Sequence, residues 1–127
     1  MDTVGDALNA IKVSEMKGKP QARIAPASKI IREVLAILQR EGYVGEFEFI
    51  DDGKSGSFVV NLVGKINQCG VVKPRFSVKA GDWEKHEQRF LPAKGVGLLV
   101  VSTPKGIMTH QQAKEQALGG RLLAFVY

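Results

Sequence analysis

Apolar positions along the chain recur at two periods, and the changes between them mark out the elements. Val4, Ala7, Leu8 and Ile11 fall at helical spacing and predict a helix over 3–16, with Asp2 or Thr3 as its N-cap and Gly18 and Pro20 as its end. "QARIA" at 21–25 reads as a short strand that Pro26 stops. Ser28 starts a second helix with Ile30, Ile31, Val34, Leu35 and Leu38 on its apolar face, and Gly42 offers the left-handed residue that closes it. The period then changes to two. "YVGEFEFID", the turn "DGKSG" and "SFVVNLVG" predict a β-hairpin. "KINQCGVV" and "RFSVK" are further strand-like pieces, and "GDWEKHEQRF" is a short helix capped by Asp82 and closed by Pro92. "GVGLLVV" returns to strand. Thr109 and Gln112 have the Thr-x-x-Gln spacing of a capping box, which opens a helix running to about Leu118, where "GG" breaks it. "RLLAFVY" is a strand. The pattern is α+β in two small lobes. The N-terminal lobe, 1–64, has the order α-β-α-β-β, and the C-terminal lobe, 65–127, is mostly β with one or two short helices.

Composition narrows the class without choosing a function. With 127 residues, 44% hydrophobic and 24% charged, the chain can bury a core and is not disordered. Cys69 is the only cysteine, so no internal disulfide forms, which suits a reducing cytosol; the residue is expected as a small buried side chain. "MDTVGDALNA" has neither the basic nor the apolar region of a signal peptide, and the longest apolar run, "VGLLVV" at 96–101, is the size of a strand. A formal charge of +5 and a pI near 9.5 suit an anionic partner. The charge is uneven: residues 43–64 carry a net −3, while the segments on either side are basic. Glu46, Glu48, Asp51 and Asp52 form this acidic band, which a polyanion would avoid.

Several motifs fail on inspection. "GKS" at 53–55 resembles the end of a phosphate-binding loop, but position 48 is Glu where that motif needs Gly, and the next element is a strand. Ser102 lacks the Gly-x-Ser-x-Gly setting of a nucleophile, and His110, just inside a helix N-terminus, lacks an orienting partner. One Cys and two separated His residues make no recognisable metal-ligand set, so neither metal nor cofactor is expected. The stretch "VVSTPKGIMTHQQAKEQ" at 100–116 is different. It reads as a strand, a joint of Ser102, Thr103, Pro104, Lys105 and Gly106, and a helix. The joint is either an ordinary turn satisfying local backbone groups or a contact for a folded RNA. Short hydroxyls that both donate and accept suit the 2′-hydroxyls of an RNA minor groove, Lys105 adds charge, and Gly106 lets a backbone come close. Ser28 and Lys29 open the second helix and can either cap and be solvated or touch phosphate. Lys73 and Arg75 flank Pro74 in a basic segment, and Trp83 is expected in the core or between the lobes.

These residues also carry a family resemblance. "VSTPKGIMTHQQA" with "GGRLLAFVY" resembles the C-terminal signature of ribosomal protein eight of the small subunit. "DTVGDALNAIK" and "APASKII" resemble that family's first helix and the start of its second. "GYVGEFEFIDD", "NLVGKINQCGVVKPRFSVK" and "EKHEQRFLPA" resemble its archaeal and eukaryotic branch. The resemblance covers nearly the whole chain. It implies a two-lobe α/β protein that binds the central domain of small-subunit ribosomal RNA early in assembly, beside neighbouring small-subunit proteins. Neither catalysis nor a membrane partner is expected, and the chain is expected to be a monomer when free and to work in cytoplasmic ribosomes. The family's Ser-Thr-Ser loop aligns with Ser102, Thr103 and Pro104, where the third hydroxyl is replaced by a proline that offers only its carbonyl. Arg121 stands where the bacterial branch carries an acidic residue. The expected RNA contacts are Ser102, Thr103, Lys105 and Gly106, with Ser28 and Lys29 from the other lobe, and Lys12 and Arg121 in addition. A small hydrolase using Ser102 and His110, and a basic module for an acidic partner protein, are the two rival readings.

Overall fold

The computed structural model describes residues 3–25, 27–51, 53, 56–72, 77–93 and 95–127. The expected Asp2 cap, the Pro26 stop, Asp52 of the acidic band, Lys54 and Ser55 of the turn, and the Lys73–Arg75 segment lie outside them. The described residues form four helices and eight strands in two antiparallel sheets, an α+β fold. The chain divides into two compact units, Met1–Ile66 and Asn67–Tyr127.

In the first unit the order is α1 (Thr3–Met16), β1 (Gln21–Ile24), α2 (Lys29–Arg40), β2 (Val44–Ile50) and β3 (Ser57–Leu62). β3 is central, flanked by β1 and β2. The helical periodicity is realised as burial: Val4, Ala7, Leu8 and Ile11 of α1, and Ile31, Val34, Leu35, Ile37 and Leu38 of α2, are all buried. Ser28 accepts the Ile31 N–H at 3.3 Å and so supplies one partner that the first turn of α2 lacks. At the far end Gly42 takes φ +83°, its N–H reaching Gln39 O and that of Tyr43 reaching Leu38 O. This paired closure needs a left-handed residue. Side chains of the sheet alternate as the period of two requires. Ala22, Ile24, Phe58 and Val60 face the core, while Gln21, Arg23, Val59, Asn61, Glu46 and Glu48 share the opposite, open face. Glu15 of α1 accepts the N–H groups of Gly64 at 3.2 Å and Ile66 at 3.1 Å, which ties the end of the unit to its first helix.

The second unit runs β4 (Cys69–Val71), β5 (Ser77–Val78), α3 (Trp83–Phe90), β6 (Leu98–Thr103), β7 (Gly106–Thr109), α4 (His110–Glu115) and β8 (Gly120–Val126). β8 pairs with β6 on one edge and with both β4 and β5 on the other, and β7 closes the outside of β6. Its core gathers Val72, Val78, Trp83, Leu91, Leu99, Val101, Met108, Ala113 and Leu122. Trp83 is fully buried, with its indole N–H donated to Leu118 O at 3.0 Å, and Cys69 is buried.

Three local expectations change. Asp82 stands at the N-cap of α3, but its backbone (φ −105°, ψ 6°) is outside the extended region a capping side chain needs, and it makes no cap hydrogen bond. The Thr109–Gln112 capping box is present in full, yet α4 stops at Glu115 rather than about Leu118, because Ala117 turns to φ +54° before the glycines are reached. The joint at 102–106 is not a strand-to-helix turn. It is the tip of a β-hairpin, and a fourth-strand segment, β7, stands between it and α4.

Candidate nucleic-acid interface

The hairpin tip follows from its own residues. Pro104 holds φ near −65°, which excludes the primed turns most two-residue hairpins use. The chain instead closes through Gly106 at φ +119°, a conformation a side chain would resist. Thr103 pairs with Gly106, and its hydroxyl locks the turn by donating to Gly106 O at 2.8 Å and accepting the Lys105 N–H at 3.2 Å. Thr103 is accordingly buried, and one lone pair is all its hydroxyl has left to offer a ligand. A Thr103→Val protein is therefore expected to lose about 1–2 kcal/mol of stability, with Thr103→Ser close to wild type, as read from urea denaturation midpoints.

Ser102 points the other way. It is half-buried and opposite Ile107 on β7 and Arg121 on β8, and Ser77 on β5 faces Arg121 in turn. Register thus lines up Ile107, Ser102, Arg121 and Ser77 across four strands, with Arg121 and Ser77 exposed. Lys105 and Gly106 are exposed at the tip beside this row, and an added Cβ at Gly106 would meet nothing within 4 Å among the described residues. The structure so brings Ser102, Thr103, Lys105, Gly106 and Arg121 onto one corner. Ser77 completes the row, and no local sequence signal marks it, because cross-strand register is a non-local property. In the first unit Ser28 and Lys29 open α2, while Lys12 is half-buried on α1. Arg32, one turn after Lys29, shares a cleft with both, and its helical spacing from Lys29 was the available signal.

His110 is buried and fully engaged. Its Nδ1 accepts the Leu99 N–H at 3.1 Å, and its Nε2 donates to Glu87 Oε1 at 2.7 Å. Lys114 Nζ donates to the same oxygen. Burial pushes the imidazole pKa down, against the pull of the Glu87 carboxylate. Burial alone would raise the Glu87 carboxyl, but the Lys114 hydrogen bond and the charges of His110 and Lys114 hold it below the usual range. The expected lack of an orienting partner is corrected: Glu87, distant in sequence, supplies one. With both nitrogens occupied, His110 has no lone pair to take a proton from Ser102, and the hydrolase reading loses its base. Among the described residues no cluster of His, Cys, Asp and Glu could hold a metal ion, and no helix is long and apolar enough to cross a membrane.

The chain is of the rRNA-binding class of structural proteins of the small ribosomal subunit, for its sequence matches one such family from residue 2 to residue 127. That family is ribosomal protein S8, and the chain belongs to it. Membership brings a ribosomal location, a role in translation, and ribosomal RNA and other ribosomal proteins as partners; it is not a family of enzymes.

Proposed function

We propose that this chain organises the central domain of small-subunit rRNA during assembly of the cytoplasmic ribosome, binding as a monomer through a hairpin corner in its second unit. The observation that carries this reading is the alignment of Ser102 with Arg121 beside the exposed Lys105. A hydroxyl that both donates and accepts, flanked by two cations, matches a shallow RNA groove in which sugar hydroxyls lie between phosphates. Ser102 addresses sugar and base edges, Lys105 and Arg121 address phosphate, Thr103 shapes the turn and offers its remaining lone pair, and Gly106 leaves room for the RNA backbone. Ser28 and Lys29, at the positive end of α2, hold a second stretch of backbone, with Lys12 contributing charge. The acidic Glu46 and Glu48 project from the open face of the first sheet, opposite its helices.

Chemical footprinting of deproteinised small-subunit rRNA tests the reading. Protection is expected in the central domain; protection confined to other domains, or none, would overturn it. Lys29→Ala and Lys105→Ala are each expected to reduce the slope of log K against log salt by about 1. A residue whose replacement leaves the slope unchanged is not a phosphate contact.

A further inference from the structure

We infer that a cleft in the first unit seats an unpaired nucleobase of the bound RNA, with the adjoining phosphate on its rim; the inference rests on the rRNA-binding reading above. The cleft has a volume of about 500 Å³, within the range of small-ligand sites. Its floor is aromatic: Phe47, Phe49 and Phe58. Phe47 and Phe49 both meet Phe58 edge-on, with centroids 5.8 and 6.0 Å away. Its rim is Ser28, Lys29 and Arg32, from the first turn of α2. Phe58 is buried, but Phe49 is 56% exposed on an edge strand, an unusual place to leave a bare ring.

That ring is held rather than loose. A Cβ on Gly56 would come within 2.3 Å of Phe49 Cε1 and 2.6 Å of Cζ, so Phe49 lies directly over the glycine. Gly56 O also accepts the Ala27 N–H at 3.0 Å, which fixes the residue preceding the Ser28 cap. One glycine thus sets both the aromatic floor and the basic rim, and the cleft is formed before anything enters it. A pre-set aromatic surface loses little conformational entropy on stacking.

The chemistry of the cleft selects its occupant. A flat apolar ring attached to an anion satisfies the floor and the rim together, whereas an apolar peptide would leave Lys29 and Arg32 unpaired. Among the described residues no carboxylate lines the cleft. Nor does any side-chain amide, so the site reads stacking and charge rather than base identity.

The test compares the wild-type chain with Phe49→Ala and Phe49→Trp, each titrated against deproteinised small-subunit rRNA. Phe49→Ala is expected to bind about tenfold or more weakly and to restore the chemical reactivity of one unpaired nucleobase that the wild type protects. Phe49→Trp is expected to keep the affinity, and its emission should be quenched by the rRNA while that of the buried Trp83 is not. Equal affinity and equal base protection for wild type and Phe49→Ala would overturn the inference and leave the function standing. So would a Phe49→Ala chain that binds naked rRNA normally yet fails to enter subunits reconstituted with the full protein set, since that assigns the cleft to a protein neighbour. A wild-type chain that did not bind rRNA would remove the function and this inference together.

Discussion

A Gly120→Ala protein is expected to be about 3 kcal/mol less stable than wild type. The added Cβ would lie 2.1 Å from Ser102 O, 3.0 Å from Ser102 C and 3.2 Å from Thr103 Cα. All three are backbone atoms of the neighbouring strand β6, so no side chain can swing aside. Relief requires β8 to move away from β6, which breaks ladder hydrogen bonds and separates Arg121 from Ser102. The variant should therefore lose RNA affinity together with stability. Urea denaturation followed by Trp83 fluorescence reads the unit concerned, because Trp83 is in its core. Gly81→Ala is the control: its Cβ would meet nothing within 4 Å among the described residues, and its midpoint should stay within about 0.5 kcal/mol of wild type. A Gly120→Ala midpoint equal to the control's would show that β8 accommodates the methyl group.

His110→Ala is expected to cost a similar amount, about 3 kcal/mol at neutral pH. It leaves the buried Leu99 N–H without its acceptor, takes one hydrogen bond from Glu87 and opens a cavity where the ring was. The same site makes stability depend on pH. The imidazole pKa is lowered on folding from its ordinary 6.5, so the unfolded chain takes up a proton that the native state refuses. The neutral ring's contribution is complete above about pH 6.5 and declines as pH falls toward the folded value. The slope of this decline is at most about 1.4 kcal/mol per pH unit. Glu87, also lowered, adds a second loss as pH falls below its ordinary 4.5. Urea midpoints measured from pH 8 to pH 4 should fall for wild type from about pH 6.5 downward, and His110→Ala should lack that first decline. Parallel curves for the two proteins would refute the role given to His110.

The helices of the first unit were legible because their signals are local. The apolar face of α2, its Ser28 cap and the Gly42 closure each depend on residues within a few positions of one another, and each is present. The hairpin tip was only half legible. Pro104, Lys105 and Gly106 announce a turn, but β7 is four residues long, and Gly106–Thr109 does not alternate clearly enough to separate it from the helix that follows. The pairing of Ser102 with Arg121 was not legible at all. It depends on β8 entering the sheet at the register that Gly119 and Gly120 permit, where Gly119 lies against Val78 O and Gly120 against Ser102 O. Paired glycines after a helix read equally well as a plain helix end. The partner of His110 was hidden for the same reason, since Glu87 belongs to a different helix 23 positions away. Asp82 shows the converse: the residue type suits a cap, and the backbone it adopts does not.

The placement of β8 also sets an order of events during synthesis. Among the described residues β1, β2 and β3 pair only with one another, so the first sheet can close once residue 62 has left the ribosome that makes it. Among the described residues β4, β5 and β6 have no common partner until β8 arrives, and Cys69 must wait for Val126. The nascent chain therefore carries a finished half and an unfinished one until the end of translation of this segment. The corner that pairs Ser102 with Arg121 is therefore completed only after the first sheet, and the RNA binding proposed for it can begin only then.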